Sequence, residues 1–446
     1  MNKKLIAIGI GALFAANGAF AQTASGSSVE IYGVLDLAIG TVNHQLNTDG
    51  AFPATVNTFS PTKSATVPNS VTGMFNGGIS DSRWGLRGTE DLGGGLKAIF
   101  TLESGFNAND GQLNNGALGM INGSNTTNNN SANTSLNGQL FNRQAFVGLS
   151  DANLGKITFG RNYAPIFDIV VGYDPVQASQ AFSPLGFSGT LGGGGGASED
   201  TRVDNSMKYT NKIGDVNFGG LYKFGGQAGS TSAQSGYAFN IGYEAGSFGI
   251  QGAYEHFNDG VIGSQSATPG AVNVTVANTT AYFLAAKYGF GDATIRGGFE
   301  RYSVQAANDF YTPATLGNYY GYAIGNAAGT SVSYGFTNAG AGNGAQDKVT
   351  DVYFIGGDYN FTPALNLAVG YYGIVNEAVG ANALGGGTAA SNHIHAFSAL
   401  LDYHFSKRTD VYSGLMDMGY GGSFAVAGAG YNTSNYIFAV GVRTKF

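Results

Sequence analysis

The chain has 446 residues, 73 of them Gly and none Cys, with 13% aromatic and only 11% charged side chains. Soluble domains carry roughly 25% charged residues, and a net charge of −7 argues against a nucleic-acid partner. Without cysteine there is no disulfide framework and no thiolate metal site.

The first segment, "MNKKLIAIGIGALFAANGAFAQ", carries two lysines, an apolar run from Leu5 to Ala16, and Ala19-Phe20-Ala21 before Gln22. This order predicts a secretory signal peptide over 1–21, with a mature chain of one domain over 22–446. Twelve apolar residues are too few for a spanning helix, which needs about 20. Loss of Lys3 and Lys4 takes the charge to −9.

After the leader, abundant Gly, Asn, Thr and Tyr suits strands and long polar loops rather than helices. Hydrophobic alternation predicts sixteen strands, at 29–41, 81–89, 96–106, 141–149, 155–163, 203–210, 216–224, 235–245, 248–257, 275–288, 293–304, 349–359, 365–375, 393–403, 409–416 and 435–446. In the third, Leu96, Ala98, Phe100 and Leu102 share one face, and Lys97, Thr101 and Glu103 the other. The opposite face of such strands is polar or small, so it is not expected to pack in a dry core. Strands 293–304, 349–359 and 409–416 alternate poorly.

Connections alternate short and long. "EDLGGG", "SDANL", "GS", "GFGD" and "NFTPA" are short; 42–80, 107–140, 164–202 and 305–348 are long. Even strand number with short turns at one end and long loops at the other describes a transmembrane antiparallel β-barrel. In lipid every N–H and C=O must be paired within the protein, so only helices or closed barrels cross. A sixteen-stranded barrel encloses an aqueous lumen. Its last strand, "SNYIFAVGVRTKF", must close on the first, which explains a regular strand ending on Phe446.

Alternation also assigns lumen charges. Trp84 and Leu86 face lipid, so Arg83 and Arg87 face inward. Val203, Met207 and Tyr209 face lipid, so Arg202, Asp204 and Lys208 face inward. Arg143 stays open, because the residues after it are apolar on both faces.

"SRWGLRGTEDLGGGLKAIFTLESGF", "FNRQAFVGLSDANLGKITFGRNYAPIFD", "TRVDNSMKY" and the terminal "AVGVRTKF" resemble the trimeric general porins of Gram-negative bacteria, their beta-proteobacterial branch above all. The resemblance implies a homotrimer in the outer membrane, in contact with its lipid and lipopolysaccharide. It implies passive diffusion of ions and small hydrophilic solutes, and a third long loop, about 164–201, folded into the lumen. It places Arg83, Arg143 and Arg202 in a basic wall at the constriction, joined on inward direction by Arg87 and Lys208. Asp168 and Asp174 fall on the acidic loop opposite. Phe446 matches the C-terminal address read by the outer-membrane insertion machinery. One departure is "SPLGF", where many porins have an acid near the loop tip and this chain has Leu185. Charge rings at a narrow point set ion selectivity, and this departure makes the narrow point more basic.

Other signals are weaker. His393 and His395 share a face without a third ligand in view, so no metal is expected. His404 with Ser406 and Asp402 are neighbours along one strand, whereas a triad needs convergence. "GGGGG" (192–196) is followed by no Lys-Ser/Thr. The sequence therefore predicts a diffusion porin without cofactor or enzymatic activity, the alternative being a substrate-selective outer-membrane channel.

Overall fold

The computed structural model describes residues 27–45, 69–109, 111, 113, 130–131, 140–185, 202–226, 229–265, 272–306, 348–377, 392–422 and 434–446. The expected leader and most of the long loops lie outside them.

Eighteen extended segments form one antiparallel sheet. They are β1 (Ser28–Gln45), β2 (Asn69–Asn76), β3 (Arg83–Gly93), β4 (Leu96–Gly105), β5 (Asn130–Ser131), β6 (Gln144–Asp151), β7 (Gly155–Tyr163), β8 (Arg202–Ile213) and β9 (Val216–Lys223). β10 (Gly236–Ala245), β11 (Phe248–Gln265), β12 (Val272–Phe290), β13 (Ala293–Ala306), β14 (Lys348–Thr362), β15 (Leu365–Glu377), β16 (Asn392–His404), β17 (Thr409–Gly422) and β18 (Ser434–Lys445) follow. β5 is a two-residue addition beside Ile262 and Gly263 of β11. β2 and β3 are two halves of one crossing: the first pairs with Leu37–Gln45 of β1, the second with Ser28–Val34. Sixteen crossings result. The expected strand at 81–89 covers only the lower half of the second, because the break at 77–82 hides the upper half.

β1 pairs with β18 from Val34 opposite Lys445 to Val42 opposite Ile437, and the sheet closes on itself. Closure removes the edge whose unpaired groups lipid cannot satisfy. The last residue takes part. Phe446 N–H donates to Gly33 O, and Gly33 N–H to Phe446 O, each at 3.1 Å. The Phe446 ring lies 2.2 Å from where a Cβ on Gly33 would stand, so only glycine fits there. At the short-turn end, Gly214, Gly246 and Gly291 begin two-residue turns at φ 59°, 56° and 59°, a region glycine enters without strain.

The outer face is apolar and exposed, with Ile31, Phe239, Ile241, Leu284, Ile355 and Val440 among its residues. The inner face differs from expectation over half the circumference. Phe283 of β12, Tyr302 of β13, Val352 and Phe354 of β14, Tyr372 and Ile374 of β15, and Tyr412 and Met416 of β17 are buried in one apolar cluster. That cluster includes Ile166, Val170, Tyr173, Val176, Phe182 and Leu185 from the chain after β7. A dry core therefore exists inside the barrel. It also explains the poor alternation of β13, β14 and β17, whose two faces are both apolar in places.

The chain after β7 supplies the other side of this core. Ala164 is extended, and Pro165 opens helix α1 (Pro165–Tyr173) at a position that needs no N–H. Ile166, Ile169, Val170 and Tyr173 form its buried face, set against β9 to β13. Residues 174–185 continue along the wall. Pro175 meets Gly356 and Gly370, and Phe182 meets Gly414, where added Cβ atoms would stand 2.7, 3.1 and 2.5 Å from the loop. The loop ends its described course at the break in the second crossing: Gln180 N–H donates to Ile79 O at 3.1 Å and Ala181 N–H to Gly78 O at 2.8 Å.

Deletion of Phe446 removes two backbone hydrogen bonds and the ring that fills the Gly33 site. We expect a lower yield of heat-modifiable, folded barrel on denaturing gels, with lumen properties of the surviving fraction unchanged. Parental yield would contradict the closing role.

Candidate functional site

The wall facing the start of the loop is charged. Glu103 of β4 is its hub. Its carboxylate accepts from Arg143 Nε at 2.8 Å, Tyr163 OH at 2.7 Å and Tyr32 OH at 2.9 Å. Arg83 Nε stands 3.6 Å away. Arg143 also donates to Asp81 at 2.8 Å, and Arg202 lies 4.0 Å from the same carboxylate. Tyr163 lies under both guanidinium groups, 5.8 Å from Arg143 and 5.7 Å from Arg202. Arg202 is 1% exposed, and its Nε and Nη1 make no hydrogen bond among the described residues. Such buried charges are tolerated where opposite charge and hydrogen-bond partners surround the cluster.

Lys208 ties the wall to the loop. Its ammonium donates to Tyr163 O at 2.7 Å and to Asp168 of α1 at 2.5 Å. Asp168 lies in the first turn of α1, where the helix dipole favours an acid. Arg161 donates to Asp204 at 2.5 Å and to Asn142 O at 2.8 Å.

The structure thus brings together five expected residues: Arg83, Arg143, Arg202, Lys208 and Asp168. Two others lie elsewhere. Arg87 makes a two-point contact with Glu30, at 2.9 and 2.8 Å, and stacks on Tyr32. It sits four residues from Arg83 on the short-turn side, about 13 Å along the strand. Asp174 is fully buried between loop and wall, accepting from Tyr372 OH at 2.7 Å and Ala178 N–H at 2.6 Å. Burial pushes its carboxyl up to about 6, against these hydrogen bonds. It fastens the loop and does not face the open lumen. Leu185, at the departure from the porin pattern, is also fully buried.

Glu103, Asp81, Tyr32, Tyr163 and Arg161 complete the cluster, although none of them was expected at the constriction. Glu103 and Tyr32 have a sequence signal, since alternation turns both inward. Asp81 sits in the break of the second crossing. Near Arg161 the register between β7 and β8 slips at Gly160 and Asn162, with Asn205 at φ 52°. Past such a bulge alternation no longer assigns faces. Val203, expected toward lipid, is 2% exposed for the same reason.

A closed barrel with a polar lumen wall and a loop packed inside it defines a β-barrel channel. The sequence profile of the Gram-negative porins matches residues 7–379, and the chain belongs to that family. An outer membrane porin protein of Bordetella pertussis is 32% identical over 243 residues, 54% of this chain and 48% of that protein. The chain thus spans about half of that relative's length. Outer membrane porin protein 32 of Delftia acidovorans is 29% identical over 300 residues, 67% of this chain and 68% of the relative. Among solved structures, the anion-selective porin from Comamonas acidovorans aligns with a TM-score of 0.59 and 22% identity, covering 94% of this chain and all of that one.

Exposure separates the arginines. Arg83 is 27% exposed along its side chain and Arg143 6%. Arg83→Gln should move the zero-current potential toward cations in a salt gradient while the barrel keeps its thermal transition. Arg143→Gln leaves Asp81 and Glu103 without their shared cation, a loss of about 3–5 kcal/mol for a broken buried pair. It should lower the unfolding temperature measurably. Equal stability of both variants would contradict this assignment.

Proposed function

We propose that the protein is a general diffusion porin of the outer membrane. Ions and small hydrophilic solutes pass between the charged wall and the inner loop. The observation that carries this reading is the seat of the loop: it is held on one half of the lumen by an apolar core, and the other half stays polar. The charged groups then stand at the narrowed passage, where little water screens them.

The sign of selectivity follows from a local tally. Among the described residues, Arg83, Arg143, Arg161, Arg202 and Lys208 face Asp81, Glu103, Asp168 and Asp204, an excess of one positive charge. We therefore propose weak anion preference, despite the acidic chain total. Exposed charges farther away than roughly 8 Å are largely screened at physiological salt. Homotrimer assembly, export by a leader over 1–21, contact with outer-membrane lipid and lipopolysaccharide, and insertion directed by Phe446 belong to the same proposal.

A barrel enzyme fits the described residues poorly. Ser406 Oγ accepts from the N–H groups of Arg408 and Thr409, at 3.1 and 3.0 Å, and serves the turn. His404 lies 3.7 Å from Asp410 and 3.9 Å from Asp402, but Arg443 engages both acids, at 2.9 and 3.6 Å. That arginine already pairs with the two acids.

Purified protein in planar bilayers should give ohmic conductance that rises with salt, no saturation by a single sugar or peptide, and a weakly anion-selective reversal potential. Saturation on one solute class would favour the substrate-selective alternative, and cation preference would contradict the tally.

A further inference from the structure

We propose that Asp36, which no permeating solute can reach, is a positioning residue that sets the geometry of the constriction through the break in the second crossing. This rests on reading the charged wall and inner loop as the narrow passage.

A continuous strand would pair straight through residues 77–82. Here the crossing is interrupted, which frees the N–H groups of Gly78, Ile79 and Ser80. Buried donors of this kind need acceptors, and one carboxylate takes all three. Asp36 Oδ1 accepts from Gly78 at 3.2 Å, and Oδ2 from Ile79 at 3.1 Å and Ser80 at 2.7 Å. The Tyr412 hydroxyl of β17 donates to the same carboxylate and shares the Gly78 N–H, accepting from it at 3.0 Å. Both ends of the break are fixed by the same residue's backbone. Gly77 N–H donates to Asp36 O at 2.9 Å, and Ser82 Oγ bonds Asp36 N and O at 3.0 and 3.1 Å. Asp36 is fully buried. Hydrogen bonds to an ionised acceptor are roughly twice as strong as neutral ones.

The segment held this way points in three directions. Its carbonyls receive the loop: Gly78 O accepts from Ala181 N–H at 2.8 Å and Ser179 Oγ at 3.0 Å, and Ile79 O accepts from Gln180 N–H at 3.1 Å. Its Asp81 holds Arg143 at 2.8 Å, and the Asp81 carbonyl accepts from Arg83 at 3.1 Å. Its Ser80 Oγ accepts from Arg443 of β18 at 3.0 Å. Inner loop, arginine wall and closing strand therefore meet on one short segment, and Asp36 fixes that segment's shape. A Cβ on Gly78 would lie 2.2 Å from Tyr412 Oη, so the packing tolerates no side chain there.

The test is single-channel recording of Asp36→Asn, with Tyr412→Phe and Arg83→Gln alongside. Asn keeps the shape and one acceptor oxygen but loses the charge. In the folded variant we expect each open level of the parent to split into sublevels as the inner loop loosens. The reversal potential should shift toward anions as Asp81 ceases to face Arg143. A folded Asp36→Asn with the parent's open levels and the parent's reversal potential overturns the proposal. If Asp36→Asn does not assemble, Tyr412→Phe carries the test, since it removes one hydroxyl only. It should show smaller changes of the same sign, and parental behaviour overturns the proposal equally. Arg83→Gln separates the two inferences. If it shifts the reversal potential while the Asp36 and Tyr412 variants do not, only the positioning role fails. If it too is silent, the constriction reading itself fails.

Discussion

Everything in this fold depends on the rule that lipid leaves no backbone polar group unpaired. The rule forces a closed ladder, and the ladder forces β18 onto β1 with the last residue still in register. It also makes any break in a crossing expensive unless the freed groups find partners. The break at 77–82 has them, from Asp36 below and from the incoming loop. This departure of the sheet from regularity is thus a place where the lumen is shaped.

Closure creates two faces with different solvents, and the inner one is divided again. Across β12 to β17 an apolar stretch takes the loop, beside ion pairs such as Arg296–Asp358, with glycines at Gly356, Gly370 and Gly414 letting the backbone approach closely. Across β1 to β8 it carries the paired charges. This division gives the loop one seat. A uniformly polar lumen would hold it only by hydrogen bonds in competition with water, each worth about 1 kcal/mol. Burying the Phe182 or Tyr173 side chain contributes more, about 1.5–3 kcal/mol for a fully buried large apolar group.

The crossings were legible in the sequence because strands such as Leu96–Gly105 alternate cleanly, and short turns such as Gly246-Ser247 are compact. Arg83 could be placed inward from its neighbours Trp84 and Leu86. Four things were hidden. Tyr372 and Ile374 read as the lumen side of an ordinary strand, since alternation gives the face and not what covers it. Asp174 looks like any loop acid until the chain is folded against Tyr372. Arg87 shares a face with Arg83, but only register reveals that Glu30 stands opposite. The pairing of Arg143 with Glu103 and Asp81 joins residues 40 and 62 positions apart, beyond any local pattern.

The natural absence of cysteine allows a direct measurement of which loop groups line the passage. Asp168 is 35% exposed along its side chain, whereas Asp174 is fully buried against the wall. Single cysteines at the two positions can be treated with a charged, water-soluble thiosulfonate during planar-bilayer recording. A loop seated on the apolar wall predicts that Asp168→Cys reacts and changes the current, and that Asp174→Cys stays silent. Reaction at Asp174→Cys with silence at Asp168→Cys would mean that the loop turns its other face to the solute, contradicting the seat on which the channel depends.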